Sequence, residues 1–139
     1  SAKMMQRRML SKEDEASMGD EIEVRREDQD RINRFSRLNQ RETLLEEALK
    51  AKNAKKEDLD DLSTELELAD EDDLVPYKIG DAFFHLPLEQ AQEMLAQSSS
   101  RVEDEASLLE DKLSSLRDEM SELKVQLYAR FGKSINLEK

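Results

Sequence analysis

The chain has 139 residues, of which 40% are charged and 37% are hydrophobic, and its net charge is −12. With three glycines, two prolines and no cysteine, this composition is typical of long helices and excludes disulfides and thiolate metal sites. The excess of carboxylates argues against nucleic acid as the main partner, because phosphate contacts need clustered Lys and Arg. No apolar run approaches the roughly 18 residues of a membrane span, so we expect no membrane partner.

The first 27 residues are predicted to form a disordered tail. Residues 1–12 are basic and rich in methionine, and residues 13–23 are acidic, so few apolar side chains are present to offset the entropy of ordering. The basic start also fits a shortened mitochondrial-type presequence. Ser1 to Lys3, which precede two methionines, fit an alternative start or a cloning remnant. The sequence leaves these alternatives open.

Residues 28–73 are predicted to form the first helix. A leucine recurs at seven-residue spacing at Leu38, Leu45, Leu59 and Leu66. This spacing, which only Lys52 interrupts, indicates a coiled-coil seam. Residues 51–56 offer small and basic side chains, so we expect looser packing there. The acidic residues 70–73 are predicted to end the helix, because negative charge at a helix C-terminus is unfavourable.

Residues 74–86 are predicted to form a β-hairpin with a two-residue turn at Gly80 and Asp81, because glycine supplies the positive φ that such a turn needs. Antiparallel pairing around this turn predicts a hairpin assembly face made of Val75, Tyr77, Ile79, Ala82, Phe84 and Leu86. Lys78 and His85 are expected on the opposite face. A two-stranded ribbon with an apolar face is marginal in water, so we expect another chain to cover it.

Residues 87–131 are predicted to form the second helix, with Pro87 in its first turn and Gly132 as its stop. Its apolar side chains alternate at steps of four and three residues, which is a strong coiled-coil signal. The predicted seam of both helices contains Leu45, Leu59, Leu62, Leu66, Val102, Ala106, Leu109, Leu113, Leu116, Met120 and Leu123. The predicted fold class is mainly α: a long antiparallel two-helix coiled coil with a single β-hairpin between the helices and a tail at residues 132–139.

The sequence offers no catalytic, cofactor or metal site. His85 is the only histidine, and it has no companion cysteine or triad partner. The acidic residues 70–73 lack the spaced oxygens and the glycine of an EF-hand loop. No paired nucleophile and base and no phosphate loop are present, so we do not expect an enzyme.

Three blocks of sequence resemble the β-type subunits of eukaryotic prefoldin. They are residues 28–35 (DQDRINRF), residues 76–83 (PYKIGDAF) and residues 123–138 (LKVQLYARFGKSINLE). The blocks occur in the family's order, and the resemblance covers about residues 24–138. The basic N-terminal extension departs from the family pattern, so the resemblance assigns it no role.

The resemblance implies a cytoplasmic hetero-hexamer of two α-type and four β-type subunits. The partners of this chain would then be two α-type and three further β-type subunits, whose hairpins assemble into a double β-barrel from which the coiled coils hang. Prefoldins bind non-native chains, notably actin and tubulin, and transfer them to the cytosolic chaperonin without ATP. The resemblance implies no cofactor.

An antiparallel helix pair brings the start of the first helix and the end of the second to one distal tip. The predicted client-binding tip contains Ile32, Phe35, Leu127, Tyr128, Phe131, Ile135 and Leu137. Apolar contact is non-directional, so it tolerates the varied sequences of unfolded clients. Alternatively, four members of this set only cap the coiled coil: Ile32, Phe35, Leu127 and Phe131. Tyr128, Ile135 and Leu137 are not expected in the core, because the first lies beside the seam and the others follow Gly132.

A second functional class stays open beside the chaperone. A structural coiled-coil adaptor that links fixed protein partners would use the same hairpin assembly. The two differ in what the distal tip binds. An adaptor binds one folded partner saturably, whereas a chaperone suppresses the aggregation of unrelated denatured proteins.

Overall fold

The computed structural model describes residues 22–138, so the predictions made for residues 1–21 lie outside the described residues. Two long helices flank one hairpin: α1 at Arg26–Glu67, β1 at Leu74–Ile79, β2 at Ala82–Pro87 and α2 at Leu88–Phe131, followed by a short 3-10 helix at Gly132–Ser134. The mainly α fold class with a single hairpin is confirmed. Among the helices of residues 22–138, none is long and apolar enough to cross a membrane.

The described chain forms two compact units. We call residues 22–46 with 112–138 the end unit, and residues 47–111 the hairpin unit. Each long helix therefore contributes one part to each unit. The end unit contains both ends of the described chain, and the hairpin unit contains both strands.

The start of α1 is fixed by an acidic side chain in its first turn. The backbone N–H of Arg25 donates to Asp28 Oδ2 at 3.0 Å, and the N–H of Gln29 donates to the Arg25 carbonyl at 3.0 Å. An acid three residues into a helix thus satisfies the N–H of the capping residue, which is one half of a capping box. Ile22 and Val24 pack against the core before the helix starts. Residues 22–27, predicted as part of a disordered tail, are therefore ordered.

The end of α1 differs from the predicted one. The helix stops at Glu67, six residues before Asp73. The next two N–H groups bond to carbonyls three residues back, Leu68 to Glu65 at 3.2 Å and Ala69 to Leu66 at 3.3 Å. The acidic residues 70–73 consequently lie in a turn after the helix. Their negative charges therefore lie outside the last turn of the helix, where they would oppose the helix dipole.

The hairpin has the predicted register. Tyr77 pairs with Phe84, and Ile79 pairs with Ala82 across the turn. Gly80 has a φ of +60°, and no non-glycine residue of the described chain has a positive φ, which fits a type II′ turn with glycine first. Pro87 is not in the first turn of α2 as predicted. It pairs with Leu74 as the last residue of β2, where a missing N–H interrupts no further ladder bond.

The core of the end unit lies between antiparallel segments of α1 and α2. Its buried members are Ile32, Phe35, Leu38, Leu116, Met120, Leu123, Leu127, Phe131, Ile135 and Leu137. We call this set the end cluster. A bidentate pair fixes the helix register on its flank, since Arg34 donates to both carboxylate oxygens of Glu119 at 2.9 and 3.0 Å. That hydrogen bonding lowers the pKa of Glu119.

The core of the hairpin unit is smaller. Leu59, Leu95 and Val102 are buried together, with Leu66 packed against them. Residues 47–58 of α1 contain no buried side chain, which agrees with the looser packing expected at residues 51–56. Ion pairs join this stretch to α2 instead: Lys52 with Glu105, and Lys56 with Glu103 at 3.6 Å.

The predicted seam residues differ in burial. Seven are buried: Leu59, Val102, Ala106, Leu113, Leu116, Met120 and Leu123. Leu45, Leu66 and Leu109 are half-buried. Leu62 departs from the predicted seam, because 47% of it is exposed. Its side chain instead lines a groove beside β1.

Candidate functional site

The seven residues predicted at the distal tip are brought together in the end unit. Six belong to the end cluster, and Tyr128 packs against it. Burial is nearly complete: Leu127 has no exposed surface, and Phe35 and Phe131 are each 2% exposed. In this conformation, therefore, these side chains form a packed core.

The C-terminal segment closes over the end cluster. Gly132 has a φ of +56°, a conformation that ends α2 and turns the chain back. Ile135 and Leu137 then insert into the cluster and are 3% and 4% exposed. The Leu137 N–H donates to the Tyr128 hydroxyl at 3.3 Å. The expectation that Ile135 and Leu137 lie outside the core was wrong, because the chain folds back after Gly132. We call residues 132–138 the closing segment.

A charged contact that sequence reasoning missed joins the two ends of the unit. Arg130 donates to Asp28 through Nη2 at 2.8 Å and through Nε at 3.1 Å. Its Nη2 also donates to the carbonyl of Glu23 at 3.0 Å. Asp28 is 1% exposed, although it is ionisable. The sequence did contain one indication that Asp28 would be buried. Residues 28, 32 and 35 are spaced so that they share one helix face.

The electrostatics of this contact favour the ionised carboxylate. Hydrogen bonds from Arg130 hold the pKa of Asp28 below its ordinary value, although burial acts in the opposite direction. The Arg25 N–H adds to the lowering. The same hydrogen bond raises the pKa of Arg130. Both groups are therefore charged at neutral pH, and the buried carboxylate has its charge partner.

Asp28→Asn is expected to lower the free energy of unfolding at neutral pH by about 2 kcal/mol, since charge-assisted hydrogen bonds are lost. A carboxylate whose folded pKa is depressed contributes stability above its unfolded pKa, about 3.9 for Asp, and loses it as pH falls through the folded pKa. The wild type should therefore lose its advantage over Asp28→Asn below pH about 4. Urea unfolding at several pH values measures this difference.

The control for this prediction is Asp30→Asn, because Asp30 is exposed on the same turn of α1. It should unfold like the wild type at every pH. If Asp28→Asn and the wild type differ by the same amount at acidic and neutral pH, the carboxylate is not the group that stabilises the two ends.

The hairpin exposes apolar side chains on both faces. On the predicted assembly face, Phe84 is 48% exposed, while Val75, Tyr77 and Leu86 are half-buried. On the opposite face, Phe83 is 68% exposed and lies 5.7 Å, ring centroid to Nζ, from Lys78. The register confirms that Lys78 and His85 share this second face. Sequence reasoning did not identify its apolar members, Phe83 and Leu74.

A groove of about 290 Å³ runs beside β1 within the hairpin unit. The apolar side chains of Leu59, Leu62 and Leu66 line it from α1. Ala91 and Leu95 line it from α2, and residues 75–78 of β1 line its remaining side. A two-stranded ribbon also leaves the outer edge of each strand unpaired. Both features are typical of a surface that another chain covers.

No group of His, Cys, Asp or Glu within residues 22–138 is arranged to hold a metal ion. The described part of the chain thus offers two candidate surfaces, the end cluster with its closing segment and the hairpin with its groove. Neither contains the paired nucleophile and base of an enzyme site.

Comparisons with known proteins agree with this arrangement. The Prefoldin subunit family model matches residues 29–134. Prefoldin subunit 4 of Bos taurus and that of Homo sapiens are each 40% identical to the chain over 120 residues, covering 86% of this chain and 90% of theirs. Prefoldin subunit 4 of Saccharomyces cerevisiae is 39% identical over 113 residues, covering 81% of this chain and 88% of its own.

A solved structure has the same fold. The crystal structure of the prefoldin beta subunit from Thermococcus strain KS-1 matches with a TM-score of 0.73 at 15% identity, covering 79% of this chain and 96% of that one. The resemblance of the sequence blocks to β-type prefoldin subunits is confirmed, and the relatives named above are all prefoldin subunit 4. The chain therefore belongs to the prefoldin subunit family, a family of non-enzymatic chaperones.

Proposed function

We propose that this chain is one β-type subunit of a cytoplasmic hetero-hexameric chaperone that works without ATP. Its partners would be two α-type and three further β-type subunits. The complex would capture non-native polypeptides such as actin and tubulin and transfer them to the cytosolic chaperonin. The observation that carries this proposal is the architecture of the family: two long helices joined by a hairpin with exposed aromatic side chains.

The proposed assembly surface is the hairpin. A lone two-stranded ribbon is marginal in water, and this one exposes Phe83 and Phe84. Cover by neighbouring hairpins would remove these rings from water and pair the free strand edges. This supports a hairpin-mediated assembly of subunits, with the assembly face of Val75, Tyr77 and Phe84 turned toward a neighbour.

The proposed client-binding surface is the distal tip. Since six of its seven predicted residues are buried, we propose that client contact begins at the 71% exposed Val125 and extends to the end cluster as the closing segment moves away. Few groups hold that segment: the side chains of Ile135 and Leu137, two hydrogen bonds made by the Tyr128 hydroxyl, and the pair of Lys124 and Glu138 at 3.2 Å. Opening it would expose the aliphatic and aromatic groups that an unfolded chain binds.

One observation favours the alternative function, a structural adaptor. The end cluster is closed and packed, and a closed end suits a fixed folded partner better than a varied set of unfolded ones. The two functions differ in their response to unrelated denatured proteins. Only the chaperone suppresses the aggregation of several of them.

Aggregation of chemically denatured actin and of one unrelated protein, diluted into buffer with the reconstituted complex, tests the proposal. We expect suppression of both. Leu137→Asp places a charge at a buried position and should release the closing segment, so suppression should become stronger. The control is Asn136→Asp, which adds the same charge at the exposed neighbouring position.

No suppression of either protein by the wild-type complex would contradict the chaperone function and leave the adaptor. Suppression that is equal in the wild type, Leu137→Asp and Asn136→Asp would keep the chaperone function. In that case the opening of the end cluster plays no part in client capture.

A further inference from the structure

The whole net charge of the chain lies in one segment. Residues 57–99 contain thirteen carboxylates and one basic residue, Lys78, whereas the remaining 96 residues contain 21 acidic and 21 basic residues. The carboxylates are Glu57, Asp58, Asp60, Asp61, Glu65, Glu67, Asp70, Glu71, Asp72, Asp73, Asp81, Glu89 and Glu93, and each of these residues is exposed. We call residues 57–99 the acidic end.

The charge of the acidic end is not neutralised within the described chain. Every ion pair of residues 22–138 joins groups outside it, such as Lys52 with Glu105 and Arg117 with Glu42. Ion pairs therefore offset part of the negative charge elsewhere in the described helices, whereas none offsets it in this segment. A concentration of one sign of charge creates a field that repels like-charged surfaces and attracts opposite ones.

Most of the exposed large apolar side chains of residues 22–138 lie in the same segment. Five of the eight large apolar side chains that are exposed in residues 22–138 belong to the acidic end: Leu62, Leu68, Leu74, Phe83 and Phe84. The groove beside β1 lies there as well. Apolar surface of this kind favours association, while the surrounding carboxylates determine which chains can approach.

A second copy of this chain is a poor occupant of the groove. Pairing two copies through their hairpins would bring two acidic ends together, with twelve net negative charges on each. Like charges opposite one another reduce affinity, and so direct a surface toward other partners. A strand with the opposite charge balance gains both the apolar contact and the electrostatic attraction.

We infer that the groove and hairpin of the acidic end dock a strand or hairpin of a non-identical chain, in which apolar residues are flanked by Lys and Arg. The unpaired carboxylates of the acidic end prevent pairing with a second copy. This inference rests on the proposed function and specifies the partner. Of the subunits that complete the complex, the neighbour at this groove is the one with a basic hairpin end.

Two variants with equal net charge test the inference. The first neutralises six carboxylates of the acidic end: Glu65→Gln, Glu67→Gln, Asp70→Asn, Glu71→Gln, Asp72→Asn and Asp73→Asn. The second neutralises six exposed carboxylates outside it: Glu47→Gln, Asp104→Asn, Glu110→Gln, Asp111→Asn, Asp118→Asn and Glu122→Gln. None of the twelve takes part in an ion pair of the described chain. The variants therefore differ in where the charge is removed.

Sedimentation velocity of each purified chain gives the first readout. In low salt, the first variant should self-associate at a concentration about tenfold lower than either the wild type or the second variant. Raising the salt should move the wild type toward the first variant, because screening weakens the repulsion. Equal self-association of the two variants would overturn the inference, since total charge and not its position would then govern pairing.

The rate of assembly with the other prefoldin subunits gives the second readout. Between about 50 mM and about 300 mM NaCl, the assembly rate of the wild type should fall about tenfold. The first variant should lose most of this dependence of the assembly rate on salt, and the second variant should keep it. Assembly at the same salt-independent rate by all three chains would overturn the inference and leave the proposed function standing. If the wild type does not assemble with the other subunits at any salt concentration, the proposed function fails. The self-association of the two variants then still decides whether the position of the charge controls pairing.

Discussion

Phe35→Ala is expected to lower the free energy of unfolding by about 3–5 kcal/mol, which is the range for removing a buried aromatic side chain. Phe35 is 2% exposed and lies in the end cluster, which holds α1, α2 and the closing segment together. The loss combines the transfer free energy of the ring with the cost of the cavity it leaves. Urea unfolding of the full chain, followed by far-UV circular dichroism, measures the change.

The matched control for Phe35→Ala is Val125→Ala in the same unit. Val125 is 71% exposed, so its truncation should change the free energy of unfolding by less than about 0.5 kcal/mol. If both variants unfold like the wild type, the end cluster does not stabilise the folded chain.

Phe84→Asp is expected to abolish incorporation of the chain into the complex. Phe84 pairs with Tyr77 on the assembly face, and a carboxylate there would be buried without a partner when a neighbouring hairpin covers it. Because Phe84 is 48% exposed in the isolated chain, the same change should leave the helices folded. Size-exclusion chromatography of the mixed subunits measures incorporation, and circular dichroism checks the fold.

Phe84→Leu serves as the control, since it keeps an apolar side chain at the same register position. It should assemble like the wild type. Normal incorporation of Phe84→Asp would mean that the assembly face does not lie where the hairpin register places it.

Periodicity and turn chemistry account for what the sequence could predict. Leu113, Leu116, Met120 and Leu123 recur at coiled-coil spacing and are buried. The hairpin register follows from glycine at the first turn position, because the two-residue turn determines which residues face each other. These signals are local: each lies within a short stretch of the chain and can be recognised without knowledge of the tertiary contacts.

The features that sequence reasoning missed depend on contacts between distant parts of the chain. Asp28 and Arg130 are 102 residues apart, and no local pattern connects them. Gly132 was correctly identified as a helix stop, but the return of Ile135 and Leu137 to the cluster depends on tertiary packing. Leu62 fits the heptad spacing, yet it lies beside β1, because the strand provides a competing apolar surface.

Native mass spectrometry of the chain, first alone and then mixed with the other prefoldin subunits, tests the central claim most directly. The claim is that the hairpin assembles with non-identical neighbours and not with copies of itself. We expect no discrete homo-oligomer from the chain alone, and a hetero-hexamer containing it on mixing. A stable monomer or homodimer that ignores the other subunits would contradict the account and favour the adaptor.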